Sequence, residues 1–192
     1  MRELGNPVPE KAFRLFAEAQ RESQQHRPAD AARKLETALQ IHPGYAEARC
    51  NLGVQYIRLG RLEDARRQFE KAIATGPPSA IAFGNLSYVH YSAGRLADAE
   101  QAARRALEID SSSISAHYLL GSILAKSFRP AEAIAHLRVG VRLTPKAHVE
   151  LARIYLAQGD HPHAAAELQL YLKSGDTAYR AESEQLLSRQ ID

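Results

Sequence analysis

Cys50 is the only cysteine among the 192 residues, so neither an internal disulfide nor a cysteine-rich zinc site can form. A thiol attacks as the thiolate, which needs a base or positive group beside it. Cys50 instead neighbours Asn51 on a stretch with helical spacing, with no histidine at a motif distance. It is expected to be a half-buried, inert thiol. His161-Pro162-His163 offers two metal-type nitrogens but no third ligand within reach along the sequence, and is read as a turn cap. His117 and His148 fall on helix faces that pack. No glycine-rich phosphate loop, serine elbow or HExxH helix occurs. The expectation is a chain that is no enzyme, with no cofactor and no metal.

The elements carrying these residues are set by a period. Ala31, Ala65, Ala99 and Ala133 are 34 residues apart, and Ala164 follows after 31. Leu52, Leu86 and Leu120 share the spacing, as do Pro43 and Pro77, and Gly60 and Gly94. A fixed period of this length means one supersecondary unit stacked repeatedly. Each period divides into two amphipathic helices. Ala46 to Tyr56 has apolar residues at helical spacing, and Gly60 stops it. Leu62 to Thr75 follows, with Leu62, Ala65, Phe69, Ala72 and Ile73 on one stripe, and Gly76-Pro77-Pro78 ends it. The same pair is expected at about 79–93 with 96–109, 113–127 with 130–143 and 145–158 with 161–173, after a worn first copy at 9–25 with 28–41. Asp176 is placed to N-cap a last helix, about 177–190, whose Arg180, Glu182, Glu184, Gln185 and Arg189 give it a wet face.

These residues resemble the tetratricopeptide repeat (TPR) family. Leu52-Gly53, Tyr56, Gly60, Ala65, Phe69, Ala72 and Pro77 match its whole pattern. Leu120-Gly121, Ala133, Leu137 and Pro145 match in part, with Leu124 in the Tyr position and Phe128 in the Gly position. Leu86-Ser87, Gly94, Ala99 and Ala106 match with His90 and Ala103 in the aromatic positions. Leu151-Ala152, Tyr155, Gly159, Ala164 and Leu168 match, then Tyr171 stands where Ala is expected. In the first copy Ala19, Ala31, Leu35, Ala38 and Pro43 fit, while Glu18 and Glu22 replace Leu and Tyr. The resemblance implies an all-α, right-handed superhelix of five repeats, about 12–45, 46–79, 80–113, 114–144 and 145–175. Residues 1–8, with Gly5 and Pro7, read as a linker or the start of a truncated segment, and 176–192 as a capping helix and tail. From Pro145 to Leu151 three residues are missing relative to earlier copies. The expected consequence is that a helix ending near Leu143 runs almost directly into the next, whose first turn is lost.

In this family the first helix of each pair lines a concave groove. Projected onto this chain, that face carries Asn51, Val54, Ile57 and Arg58, then Asn85, Tyr88 and Tyr91, then Tyr118, Ser122 and Lys126, then Glu150 and Arg153. Asn donates to and accepts from an extended backbone at once, and Tyr joins a large contact area to one polar tip. Asn51 and Asn85 have an alternative use in satisfying neighbouring helices, and the tyrosines in internal packing. The dicarboxylate clamp for chaperone tails finds no register: its basic positions fall on Phe16 and Ile81, or on Cys50 and Leu119, where a carboxylate would stay unpaired. Phe13 and Phe16 project towards the open N-terminal end of the groove.

The expected function is a non-catalytic scaffold holding a peptide or protein segment in the groove. Its alternatives are self-assembly into a homo-oligomer and service as the interaction module of a larger protein. The net charge of +3 is not gathered into a basic run, so nucleic acid is not an expected partner. No apolar run approaches the ~20 residues that span a bilayer. A soluble chain is expected, with cytoplasm and periplasm both open.

Overall fold

The structure, a computed structural model, describes residues 7–188. Gly5 of the expected linker and Arg189 and Gln190 of the expected cap lie outside them. The described residues form helices and connecting turns without strands: α1 Glu10–Gln24, α2 Pro28–Ile41, α3 Ala46–Arg58, α4 Leu62–Thr75, α5 Ala80–Ser92, α6 Leu96–Ile109, α7 Ile114–Lys126, α8 Pro130–Gly140, α9 Lys146–Ala157, α10 His161–Lys173 and α11 Arg180–Ser188. This is an all-α helical-repeat fold. It divides into two compact units, the first ending at Arg95 and the second beginning at Leu96.

In the first unit each helix packs on the next, α1 to α5 in order, and α3 also touches α5. The alanine column lets these helices approach closely: Ala31 and Ala65 are fully buried, as are Ala48 and Phe69. Gly53 takes this furthest, since its missing side chain is the space that the Phe69 ring occupies. Tyr56, one turn beyond Gly53, is buried as well. Its hydroxyl donates to Glu36 Oε1 at 2.7 Å, and the Arg61 guanidinium lies 4.2 Å over its ring. Burial, and then the Glu36 carboxylate, push that phenol up to about 12. Phe16 belongs to this core too. It is 4% exposed, with its ring 5.1 Å from that of Tyr45, which corrects the expectation that it faces the open end. Phe13, one turn earlier, is exposed.

In the second unit α6 to α11 again pack in sequence, with α7 also touching α9. The three missing residues fall elsewhere than expected. α9 keeps 12 residues against 13 in α3, α5 and α7, so its first turn is not lost. α8 is the short helix, 11 residues against 14 in α2, α4 and α6. Burial explains the choice. The start of α9 holds Ala147, Val149 and Leu151, all within 1% of full burial, whereas beyond Gly140 the chain carries only the exposed Arg142 and Leu143 and the half-buried Val141.

The C-terminal end also differs from expectation. α11 starts at Arg180, and Asp176 caps the turn before it rather than the helix, accepting from the Ala178 N–H at 2.8 Å. Tyr171, standing where the pattern has Ala, is fully buried. Its hydroxyl donates to Asp176 at 2.9 Å and accepts from the Tyr179 N–H at 2.7 Å. The large residue thus fastens the turn leading into α11.

Candidate functional site

In the first unit, residues of α1, α3 and α5 come together around one hollow. A cavity of about 400 Å³ lies among them, with Gln20 from α1, Glu47, Cys50, Asn51 and Val54 from α3, and Ile81 and Asn85 from α5. Small residues, Ala46, Ala72 and Ala82, line the rest, with Pro77 and Ser79 from the connection. Ser79 is fixed there because its side chain caps α5, accepting from the Ala82 N–H at 3.2 Å. Ile81 is 72% exposed, an apolar side chain held at the rim without a covering partner. The Asn51 side-chain amide donates to the Glu47 carbonyl of its own helix at 3.1 Å. Burial, reinforced by Glu47, raises the Cys50 thiol above its ordinary range. That is the wrong direction for a nucleophile.

A second hollow of about 240 Å³ adjoins the first and shares Gln20 and Asn51 with it. Its other walls are Ala19, Ser23, Gln24, Leu35 and Gln55. The first hollow is the larger and more apolar of the two, the second the smaller and more polar.

The remaining residues expected on this face have other surroundings. Arg58 is tied to α1, donating to Ser23 Oγ at 2.8 Å and to the Ser23 carbonyl at 3.2 Å. Ile57 and Tyr91 are half-buried and Tyr88 is exposed, all outside both hollows. In the second unit Ser122 is buried, and its hydroxyl donates to Glu150 Oε2 at 2.5 Å while Tyr118 donates to Oε1 at 2.9 Å. Glu150 is thereby held within the unit. Arg153 makes a two-pronged pair with Glu182 of the cap at 2.7 Å, and Lys126 is exposed. The helix-face histidines are engaged as well: His117 meets His136 at 2.8 Å and His148 meets Glu167 at 2.6 Å. In His161-Pro162-His163 the cap is made by Asp160, which accepts from the His163 N–H at 3.2 Å.

Sequence reasoning missed Gln55. The signal was present in the period: Val89 and Ile123 occupy its place in the next two copies and Ile154 in the last, all of them buried. In the first copy the exposed Arg21 holds the place, so the column is apolar only in the last three copies.

The tetratricopeptide repeat family model matches residues 16–77, 50–114 and 129–179. The chain belongs to the tetratricopeptide repeat family. Among solved structures, PilF of Pseudomonas aeruginosa matches this TPR chain with a TM-score of 0.79 at 19% identity, over 94% of this chain and 89% of that one. MamA (41-end) of Desulfovibrio magneticus RS-1 gives 0.78 at 20% identity, over 89% and 100%. YrrB, described as a TPR protein with an unusual peptide-binding site, gives 0.72 at 19% identity, over 91% and 92%. At such identities the likeness carries the fold alone. No curated protein sequence matches the chain. No described helix of this TPR chain is long and apolar enough to cross a membrane.

Proposed function

We propose that this TPR chain is a non-catalytic interaction scaffold that takes an extended segment of a partner protein across α1, α3 and α5. The observation that carries the reading is the larger hollow, where the exposed Ile81 and the half-buried Val54 flank the amides of Asn51 and Asn85. Apolar surface supplies the driving force of association, and the amides fix an extended backbone by donating and accepting together. No acidic or basic pair converges there, so the partner segment is apolar and neutral rather than a charged tail. Ile81→Asp tests this, because the side chain is too exposed for the change to unfold the unit. Proteins captured from a lysate by the immobilised wild-type chain, identified and mapped with overlapping peptides, are expected to lose binding to the variant while the melting curve stays put. Retained capture of the same peptides by Ile81→Asp refutes the groove.

A second reading, self-association, is favoured by one observation: Phe13 is 58% exposed on α1. Light scattering decides it. A monomer over a range of concentrations removes this reading, and a dimer that Phe13→Ser dissociates establishes it.

A further inference from the structure

We propose that α11 is a displaceable occupant of a second binding face, in the second unit, and that this face takes an acidic partner segment bearing an aromatic residue. The face does not depend on the hollow of the first unit. Glu150 and Arg153 follow Lys146 on α9 by four and seven residues, which puts the three on one side of the helix. The repeat pattern assigns that side to the groove of the last copy. In the free chain the C-terminal segment sits on it. Glu182 of α11 accepts from Arg153 Nε at 2.9 Å and from Nη2 at 2.7 Å. Tyr179, just before α11, has the Arg153 guanidinium 5.6 Å and the Lys146 ammonium 5.5 Å from its ring centre, within the range of cation–π attraction. The chain thus displays the chemistry that the face accepts, one ring and one carboxylate three residues apart. Glu150 cannot stand in for that carboxylate, because its two oxygens accept from Tyr118 and Ser122.

α11 holds its place by few contacts. Its one buried residue is the polar Ser183, and Leu186 and Leu187 are half-buried, whereas α9 buries Val149, Leu151 and Ile154. An element that buries so little apolar surface opens at low cost. The Arg153 and Glu182 side chains are 46% and 38% exposed, and an ion pair so open to water contributes little. A partner segment with the same two groups therefore competes with α11 and carries Tyr179 and Glu182 off the face. Lys146, which keeps a contact of 4.0 Å to Glu150, and Arg153 then present two cations against one carboxylate. That surplus of positive charge favours an acidic segment over a basic one.

The experiment is fluorescence anisotropy with labelled, end-blocked peptides of neutral background holding Tyr-Ala-Ala-Glu, Tyr-Ala-Ala-Lys or Ala-Ala-Ala-Glu, titrated with the full chain. Glu182→Ala is expected to bind the first peptide about two- to fivefold more tightly than wild type, because the competing pair is gone. Both proteins are expected to bind the other two peptides more weakly than the first. Arg153→Gln is expected to lose the binding, and should it fail to fold, Lys146→Gln is expected to weaken it. Hydrogen exchange reads the displacement: saturating the wild type with the first peptide should speed exchange of the α11 amides and leave those of α9 slow. Equal affinity of wild type and Glu182→Ala overturns the competition with α11, and equal binding of the Lys peptide overturns the selection for acid. Unchanged exchange in α11 with the peptide bound puts the peptide elsewhere and overturns the proposal, as does the absence of binding by either protein. Tighter binding of labelled oligothymidylate than of any peptide assigns the face to nucleic acid and overturns it as well.

Discussion

The Phe69 ring of α4 lies so close to Gly53 of α3 that a Cβ on residue 53 would come within 2.6 Å of two ring carbons. Phe69 is fully buried and cannot swing aside. Gly53→Ala therefore forces α3 and α4 apart, and overpacking of this kind costs about 1–3 kcal/mol. The better helix propensity of Ala offsets about 1 kcal/mol of that. The expected result is a lowered melting midpoint. Gly84→Ala in α5 is the control, because nothing lies within 4 Å of its added Cβ. There only the propensity gain of up to about 1 kcal/mol acts, and the midpoint rises. Thermal melts of both variants check the opposite signs.

Phe128 gives a second prediction. Gly60, Gly94 and Gly159 turn the chain between helices with φ of +73°, +74° and +76°, and at the same place Phe128 has φ +57°. An L-residue in that region is strained by about 1–2 kcal/mol. Its ring, 94% exposed, recovers nothing by packing. Phe128→Gly is expected to stabilise the second unit by about 1 kcal/mol after the entropy of glycine is deducted. In a chain of this size that raises the melting midpoint by about 2–4 °C. An unchanged or lower midpoint would mean that the strain at φ +57° is no larger than the entropy that glycine adds to the unfolded chain.

The period made the helices legible almost residue by residue. α4 and α6 have the bounds that Gly60, Gly94 and the apolar stripes dictate, because glycine stops and helical spacing are local signals. What escaped depended on contacts between copies. The spacing puts the shortened helix after Pro145, whereas burial shows that α9 needs its first turn and that α8 can lose its last. Projection alone puts Phe16 at the open end of the groove, because its ring partner Tyr45 lies 29 residues away. Asn51, Val54 and Asn85, which the repeat pattern puts on one face, line the larger hollow of the first unit, while Tyr118 and Ser122 meet Glu150 of the following copy. Arg27, Arg61, Arg95 and Arg129 also keep the 34-residue spacing. Three of them hold the start of the following helix, through Asp30, Asp64 and Glu132.

The second unit should lose stability in mild acid. His117 Nε2 lies 3.1 Å from the Ser111 carbonyl and so donates to it, which leaves the neutral His117 Nδ1 to accept from His136 Nδ1–H at 2.8 Å. Burial holds the His136 imidazole below its ordinary pKa, followed by His117 and by Arg104 of α6, with Glu132 of α8 opposing. The unfolded chain takes up this proton near pH 6.5, whereas the folded chain resists it. Below that pH the unfolded state binds more protons, so stability falls as the pH drops and is fully recovered above it. Urea unfolding at pH 7 and at pH 5 is expected to show a lower midpoint in acid. His136→Phe should shrink that difference, and an equal pH dependence in variant and wild type would place its origin elsewhere.

Cys50 supplies a built-in reporter for the larger hollow. It is half-buried and borders that hollow beside Asn51 and Val54, and its thiol is held above the ordinary range by burial and by Glu47. Reaction with a maleimide requires the thiolate, so labelling of the native chain is expected to be slower than that of the urea-unfolded chain at the same pH. A segment seated against Val54 and Ile81 covers the sulfur. Labelling should then slow in proportion to the fraction of chain occupied, and Ile81→Asp should abolish that protection without changing the rate of the free protein. Since the chain has one cysteine, mass spectrometry reads the single adduct without mapping. A captured peptide that leaves the rate untouched is bound away from α3, and the assignment of the hollow as the binding surface falls with it.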